Sequence, residues 1–137
     1  MREESMEQLT RDHTLLQELV DRGFYSQEEA RESLNKNLVT RAVGVSGTVQ
    51  VDLLEDIAQV NDIYLLCSDG LSDMIDDDLI ADTLMNYKNS LDKTAKELIR
   101  QANDHGGKDN VSAVLAKPIK PFPAQSGWLS RIFDLFS

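Results

Sequence analysis

Two aspartates carry the chemistry this sequence offers. Asp69 stands in the run IYLLCSDGLSDMIDDD, residues 63–78, directly before Gly70 and at the end of an apolar stretch. Asp109 stands in GGKDN, after Gly106 and Gly107 and just ahead of a second apolar stretch. Each acid sits at the mouth of a strand-like segment, where a rigid scaffold holds it and solvent still reaches it. If the two strands are neighbours, both carboxylates can point at one ion, and hard oxygen donors of that kind suit Mg²⁺ or Mn²⁺. Two carboxylates are few for a tight site, since Mg²⁺ usually takes several waters or further acids. A plainer reading stands beside this one, because Asp-Gly is a common turn and Gly-Gly followed by Asp is a common helix stop.

The elements that must position these acids follow from periodicity. Ile63 to Cys67 reads as a strand whose unbroken apolarity implies cover on both faces, after a turn at Asn61-Asp62. Val111 to Ala116 reads as another strand. Between them, a helix is predicted from about Asp76 to Met85, with Leu79, Ile80 and Leu84 inward and acids in its first turn. Leu91, Ala95, Leu98, Ile99 and Ala102 fall at helical spacing, with Ser90 as cap and Gly106-Gly107 as stop. Upstream, Leu15, Leu16, Leu19 and Val20 share one face of a helix over 14–23, capped by Asp12 or Thr14 and stopped at Gly23. Ser26 with Glu29 forms a capping box, which predicts a second helix near 27–34. The β-branched content favours a strand around 48–54. Prolines 118, 121 and 123 mark the domain exit, so residues 1–117 form the domain and 118–137 a linker with a short apolar tail. A sheet needs an apolar partner on each apolar face, and these few elements leave one face uncovered.

Bulk composition narrows the partners. The chain has 137 residues, 41% of them hydrophobic, enough for one ordinary domain with a core. Fourteen Lys and Arg against 24 Asp and Glu give a net charge of −10. That balance argues against a nucleic-acid backbone or an anionic membrane as the main partner. Cys67 is the sole cysteine, which excludes an intrachain disulfide and sets a cytoplasmic location as the expectation. No apolar stretch is long enough to span a bilayer, and the polar start MREESMEQLTRDH does not read as a signal peptide.

Several residues invite a functional role and are better given a plain one. His13 and His105 read as structural or surface groups, the latter at a helix end. Arg41 reads as a loop-bracing ion-pair partner rather than a phosphate ligand. Cys67 reads as a core cysteine, not a nucleophile. Asp73 supports the loop or caps the next helix, and Asp76, Asp77 and Asp78 form a first-turn cluster. The tail over 126–136 reads as a docking segment, with Arg131 its lone basic residue and a poor fit to a membrane.

LLCSDGLSDMI (65–75) and GGKDNVSAVL (106–115) resemble the two late motifs of the metal-dependent protein serine/threonine phosphatases of the PPM (type 2C) family. EQLTRDHTLLQELVDRG (7–23) and NLVTRAVG (37–44) resemble the stretches that precede those motifs in its bacterial branch. The likeness runs from about residue 7 to 117 with the motifs in order. It implies an α/β (α+β) fold, part of an αββα sandwich of two antiparallel sheets between helices, with a binuclear Mn²⁺ or Mg²⁺ centre. It further implies that Asp69 and Asp109 ligate the second metal, that Asn110 braces their loop and that Gly70 lets the chain turn beside the ions. The implied reaction is metal-assisted hydrolysis of phosphoserine or phosphothreonine in a phosphoprotein substrate, without a phosphoenzyme.

The sequence also departs from the family. An early arginine, an Asn-Glu-Asp stretch, an Asp-Gly-hydrophobic-Gly-Gly stretch and a Gly-Asp-Ser are absent. Roughly the first half of the catalytic domain is therefore expected to be missing, and the isolated chain to be inactive. No catalytic residue is assigned. Two other readings stay open: a non-catalytic remnant or complementation partner that needs a separate amino-terminal half, and a generic protein-interaction domain whose aspartates are turns.

Overall fold

The computed structural model describes residues 1–32 and 38–122. They form two compact units, one of Gln8–Asp56 and one joining Met1–Glu7 to the chain from Ile57 onward.

The second unit carries both aspartates. Its strands β1 (Tyr64–Cys67) and β2 (Ala113–Ala116) pair antiparallel, with Tyr64 opposite Ala116 and Cys67 opposite Ala113. Between them run the short helix α3 (Asp69–Ser72), then α4 (Asp77–Asn86) and α5 (Leu91–Asp104). Leu71 and Ile75, Ile80 and Leu84, Leu98 and Ala102 bring these helices together with Ile63 in one buried cluster, and Leu65 and Leu115 pack on it from the sheet. The mixed α/β architecture agrees with the expectation, although the described sheet has two strands only.

Local chemistry explains the helix limits. Asp76, expected inside the first turn of α4, is instead its N-cap, the place the sequence offered to Asp73, and its carboxylate accepts from the Leu79 amide at 2.8 Å. Ser90 is the N-cap of α5, but its hydroxyl makes no cap bond. Thr94 Oγ1 instead bonds back to the Ser90 carbonyl at 3.0 Å. At the other end Gly106 and Gly107, at φ +129° and +51°, send their amides back to the carbonyls of Asn103 and Ala102, which stops the helix as predicted. Helix α3 was not expected, and a glycine in so short a helix costs it about 1 kcal/mol. Burying Leu71 at 0% exposure outweighs it, at roughly 1.5–3 kcal/mol.

Two strand expectations are corrected. The first is cover on both faces of β1. Leu66 and Val114, opposite each other in register, are each 63% exposed, because no described element lies over that face. The second is the strand around 48–54. That segment forms no ladder with any described residue, and Val51 and Leu53 lie exposed. Extended apolar chain becomes a strand only with a backbone partner.

A half-buried ion pair closes the start of β1. Asp62, 3% exposed, accepts from Arg2 Nε at 3.0 Å and Nη2 at 2.7 Å and from the Gln59 amide at 2.7 Å. The Arg2 guanidinium bonds hold its carboxyl down at about 2, helped by that amide. Asn61 beside it adopts φ +75°, the turn expected there.

The first unit holds α1 (Leu15–Asp21) and α2 (Gln27–Glu32). Thr14 Oγ1 caps α1 by accepting from the Gln17 amide at 3.1 Å, and Gly23 at φ +76° ends it. Ser26 and Glu29 bond each other's amides reciprocally, at 2.7 and 3.2 Å, as a capping box should. Residues 33 and 34 of the predicted second helix lie outside the described residues, as does the tail from residue 123. Among the described residues, no helix is long and apolar enough to cross a membrane.

Candidate functional site

Antiparallel pairing decides where the two acids lie. Cys67 ends β1 and Ala113 begins β2, and they are partners in the ladder. The loop leaving β1 and the loop entering β2 therefore emerge at the same end of the sheet. Asp69 stands in the first turn of α3 and Asp109 four residues before β2, both exposed.

The backbones of the two loops touch. Gly70 is buried, and a Cβ built on it would run into the Asn110 carbonyl, at 2.9 Å from its carbon and 3.3 Å from the Asp109 carbon. Its φ is not in the left-handed region, so the glycine supplies room for close approach rather than an unusual turn. Ser68 ties the loops again: its hydroxyl donates to the Asn110 carbonyl at 2.8 Å and accepts from the Ser112 amide at 3.0 Å. Asn110 thus meets the β1 side through its backbone carbonyl. Sequence reading passes over Ser68, although its place directly before Asp69 was on view.

Each aspartate is braced by the amide that follows it. Asp69 Oδ1 accepts from Gly70 N at 2.9 Å and Asp109 Oδ1 from Asn110 N at 2.6 Å. The Oδ2 atoms take no hydrogen bond among the described residues. The donor chemistry, carboxylate oxygen at an exposed rim, fits a hard divalent cation. The donor number falls short: among the described residues no group of three or more His, Cys, Asp or Glu is placed to hold a metal.

Neighbouring residues take plainer roles. Asp73 closes α3, its amide bonding back to the Asp69 carbonyl at 2.8 Å. Cys67 corrects the expectation of a core cysteine: it is exposed, as the last strand residue at the open end of the sheet. Partial burial and then the Asp69 charge push its thiol up, which keeps it protonated and argues against a nucleophile. His105 ends α5, where Nδ1 lies 2.8 Å from the Gln101 carbonyl.

In the Gln8–Asp56 unit, His13 and Arg41 converge on Asp52. His13 Nε2 is 2.8 Å and Arg41 Nη1 2.9 Å from its carboxylate. Those bonds, His13 first, lower the Asp52 carboxyl below its ordinary value. Arg41 is the loop-bracing partner the sequence suggested. Asp52 itself was legible only as part of an expected strand.

No protein-family model matches the chain. The serine/threonine phosphatase stp of Listeria welshimeri is 41% identical over 113 residues, which is 82% of this chain and 44% of that protein. The PPM phosphatase MsPP from Mycobacterium smegmatis superposes with a TM-score of 0.77 at 34% identity, over 86% of this chain and 50% of that one. The catalytic domain of the phosphatase PstP, solved with two manganese ions, gives 0.67 at 38% identity, over 85% and 46%. The chain spans less than half the length of stp and no more than half of either solved chain. It is homologous to bacterial serine/threonine phosphatases of the PPM type.

Proposed function

We propose that this chain is the carboxy-terminal half of a PPM-type protein serine/threonine phosphatase domain, in which Asp69 and Asp109 ligate one divalent ion, Mn²⁺ or Mg²⁺. The observation that carries this reading is the Cys67–Ala113 pairing, which brings both acid loops to one end of one sheet in a chain homologous to phosphatases. The PstP structure with two manganese ions supports the choice of ion class. An ion held by Asp69 and Asp109 would supply Lewis acidity toward a water and toward the phosphate oxygens of a phosphoserine or phosphothreonine. Asp69 and Asp109 would supply negative charge and fixed oxygens, and Gly70 and Ser68 the close loop contact that keeps those oxygens in place.

Two carboxylates are half a donor set, so the chain by itself is an inactive half-site in the cytoplasm. Its phosphoprotein substrate would be turned over only with the complementary amino-terminal half present. The Leu66–Val114 face, which no described element covers, supports this reading, since it is apolar surface suited to a second layer.

Calorimetric titration of Mn²⁺ into the purified 137-residue chain tests the site. Weak binding that Asp69→Ala and Asp109→Ala each abolish is expected. Binding unaffected by both substitutions refutes the assignment. A metal-dependent rate on a phosphopeptide by the pure chain refutes the inactivity.

A further inference from the structure

We infer that Ser68 is a positioning residue of the half-site: its hydroxyl clasps the Asp109 loop to the Asp69 loop. Ser68 is the N-cap of α3, a place where a serine hydroxyl ordinarily accepts from an amide of the helix's own first turn. Here it makes no such bond. It spans to the opposite loop instead, donating to the Asn110 carbonyl at 2.8 Å and accepting from the Ser112 amide at 3.0 Å.

The reason lies in the ladder. The Ser68 amide donates to the Ser112 carbonyl at 3.1 Å, extending the β1–β2 pairing one residue past Cys67 and Ala113. A regular antiparallel pair would return the Ser112 amide to the Ser68 carbonyl. That carbonyl is already turned into α3, where it accepts from Leu71 N at 3.0 Å. The Ser68 hydroxyl stands in for it, and its proton then reaches Asn110. The position therefore needs a side chain that donates and accepts at once, on a stem short enough to stay in the ladder. Serine and threonine meet that need. Alanine and valine do not. The clasp joins the residue before one acid to the residue after the other, so it fixes the spacing of the two loop backbones that carry the carboxylates.

Only the metal part of this inference rests on the function proposed above. The test uses the full chain as wild type, Ser68→Ala and Ser68→Thr, with amide hydrogen exchange read by NMR. Ser68→Ala is expected to speed exchange at Ser112 roughly fivefold, the loss of one ordinary hydrogen bond. Leu98 in α5 should stay unchanged, and Ser68→Thr should restore Ser112. Unchanged exchange at Ser112 in Ser68→Ala overturns the clasp. Equal acceleration at Ser112 and Leu98 overturns it too, since that marks general destabilisation. Mn²⁺ titration is the second arm, where Ser68→Ala should weaken affinity about tenfold and Ser68→Thr should restore it. Full affinity in Ser68→Ala overturns the positioning role. Absence of Mn²⁺ binding in the wild type counts against the metal reading alone, and the exchange result then decides the clasp.

Discussion

Substituting Gly70 by alanine sets two physical effects against each other and makes the sign of the result informative. Gly70 lies in α3, and on helix propensity alone Gly70→Ala should stabilise by roughly 0.5–1 kcal/mol. The close loop contact argues the other way. An added Cβ would lie 2.9 Å from the Asn110 carbonyl carbon, where ordinary contact begins at 3.4 Å, so one backbone must retreat by at least 0.5 Å. Overpacking of this kind typically costs about 1–3 kcal/mol. Retreat of Asn110 also strains the bond its carbonyl accepts from Ser68, which is worth about 1 kcal/mol. The net expectation is destabilisation of about 2 kcal/mol, or a fall in melting midpoint of roughly 6–10 °C for a chain of this size. Urea unfolding of both proteins, followed by circular dichroism, measures it directly. A variant as stable as wild type or more so would refute the packed-loop argument, because propensity would then be the only effect left standing.

Three further outcomes follow from the geometry. Asp62 titrates at about 2 in the folded chain against about 3.9 unfolded, so its share of stability is present above pH 4 and lost as pH falls toward 2. Urea midpoints from pH 6 to 2 should drop more steeply for wild type than for Asp62→Asn, and parallel curves would count against the Arg2 pairing. Leu66→Lys and Val114→Lys should each change the stability of this chain by no more than about 0.5 kcal/mol, since both positions are exposed; a loss well above that in a thermal melt would mean the face is covered. A metal chelator should leave the melting curve of the chain unmoved, because hydrogen bonds and packing already hold both acid loops; unfolding on chelation would show that the loops depend on an ion.

How much was legible before the structure depended on whether the signal was local. The caps at Thr14 and at Ser26 with Glu29 are contacts within three residues, and each forms as the sequence implies. The cap of α4 is Asp76, expected inside the first turn, and the Ser90 hydroxyl expected to cap α5 makes no cap bond. The stops at Gly23 and Gly106-Gly107 are equally local. The strand expected around 48–54 failed because a strand is a relation between two segments, and β-branched composition describes only one of them. Cys67 and Leu66 failed similarly: an unbroken apolar run shows that a strand suits burial on both faces, not that cover exists. Of the site, Asp69 and Asp109 were readable as acids at strand ends, but their meeting required the β1–β2 register. Ser68 was hidden for another reason. Its ordinary meaning before a helix is a cap, and only the diverted Ser112 amide gives it a different one.

The three consecutive residues Ser68, Asp69 and Gly70 divide one structural problem among them. A strand must end, a helix must begin at once, and a second loop must lie against the corner. Turning the Ser68 carbonyl into α3 removes an acceptor from the ladder, and the Ser68 hydroxyl replaces it. Bringing the second loop close enough for that bond leaves no room for a Cβ at the next but one residue, and Gly70 has none. Between them Asp69 is left with its Oδ1 held by the Gly70 amide and its Oδ2 open. Asp109 repeats the arrangement through the Asn110 amide. Both acids are therefore oriented by their own backbones before any ion arrives. On the function proposed above, an ion bound there would add little folding energy, unlike the ion of a small zinc domain that folds around one. On that same proposal, affinity would be limited by donor number rather than by loop order, and ligands from a complementary half would raise it without rebuilding this corner.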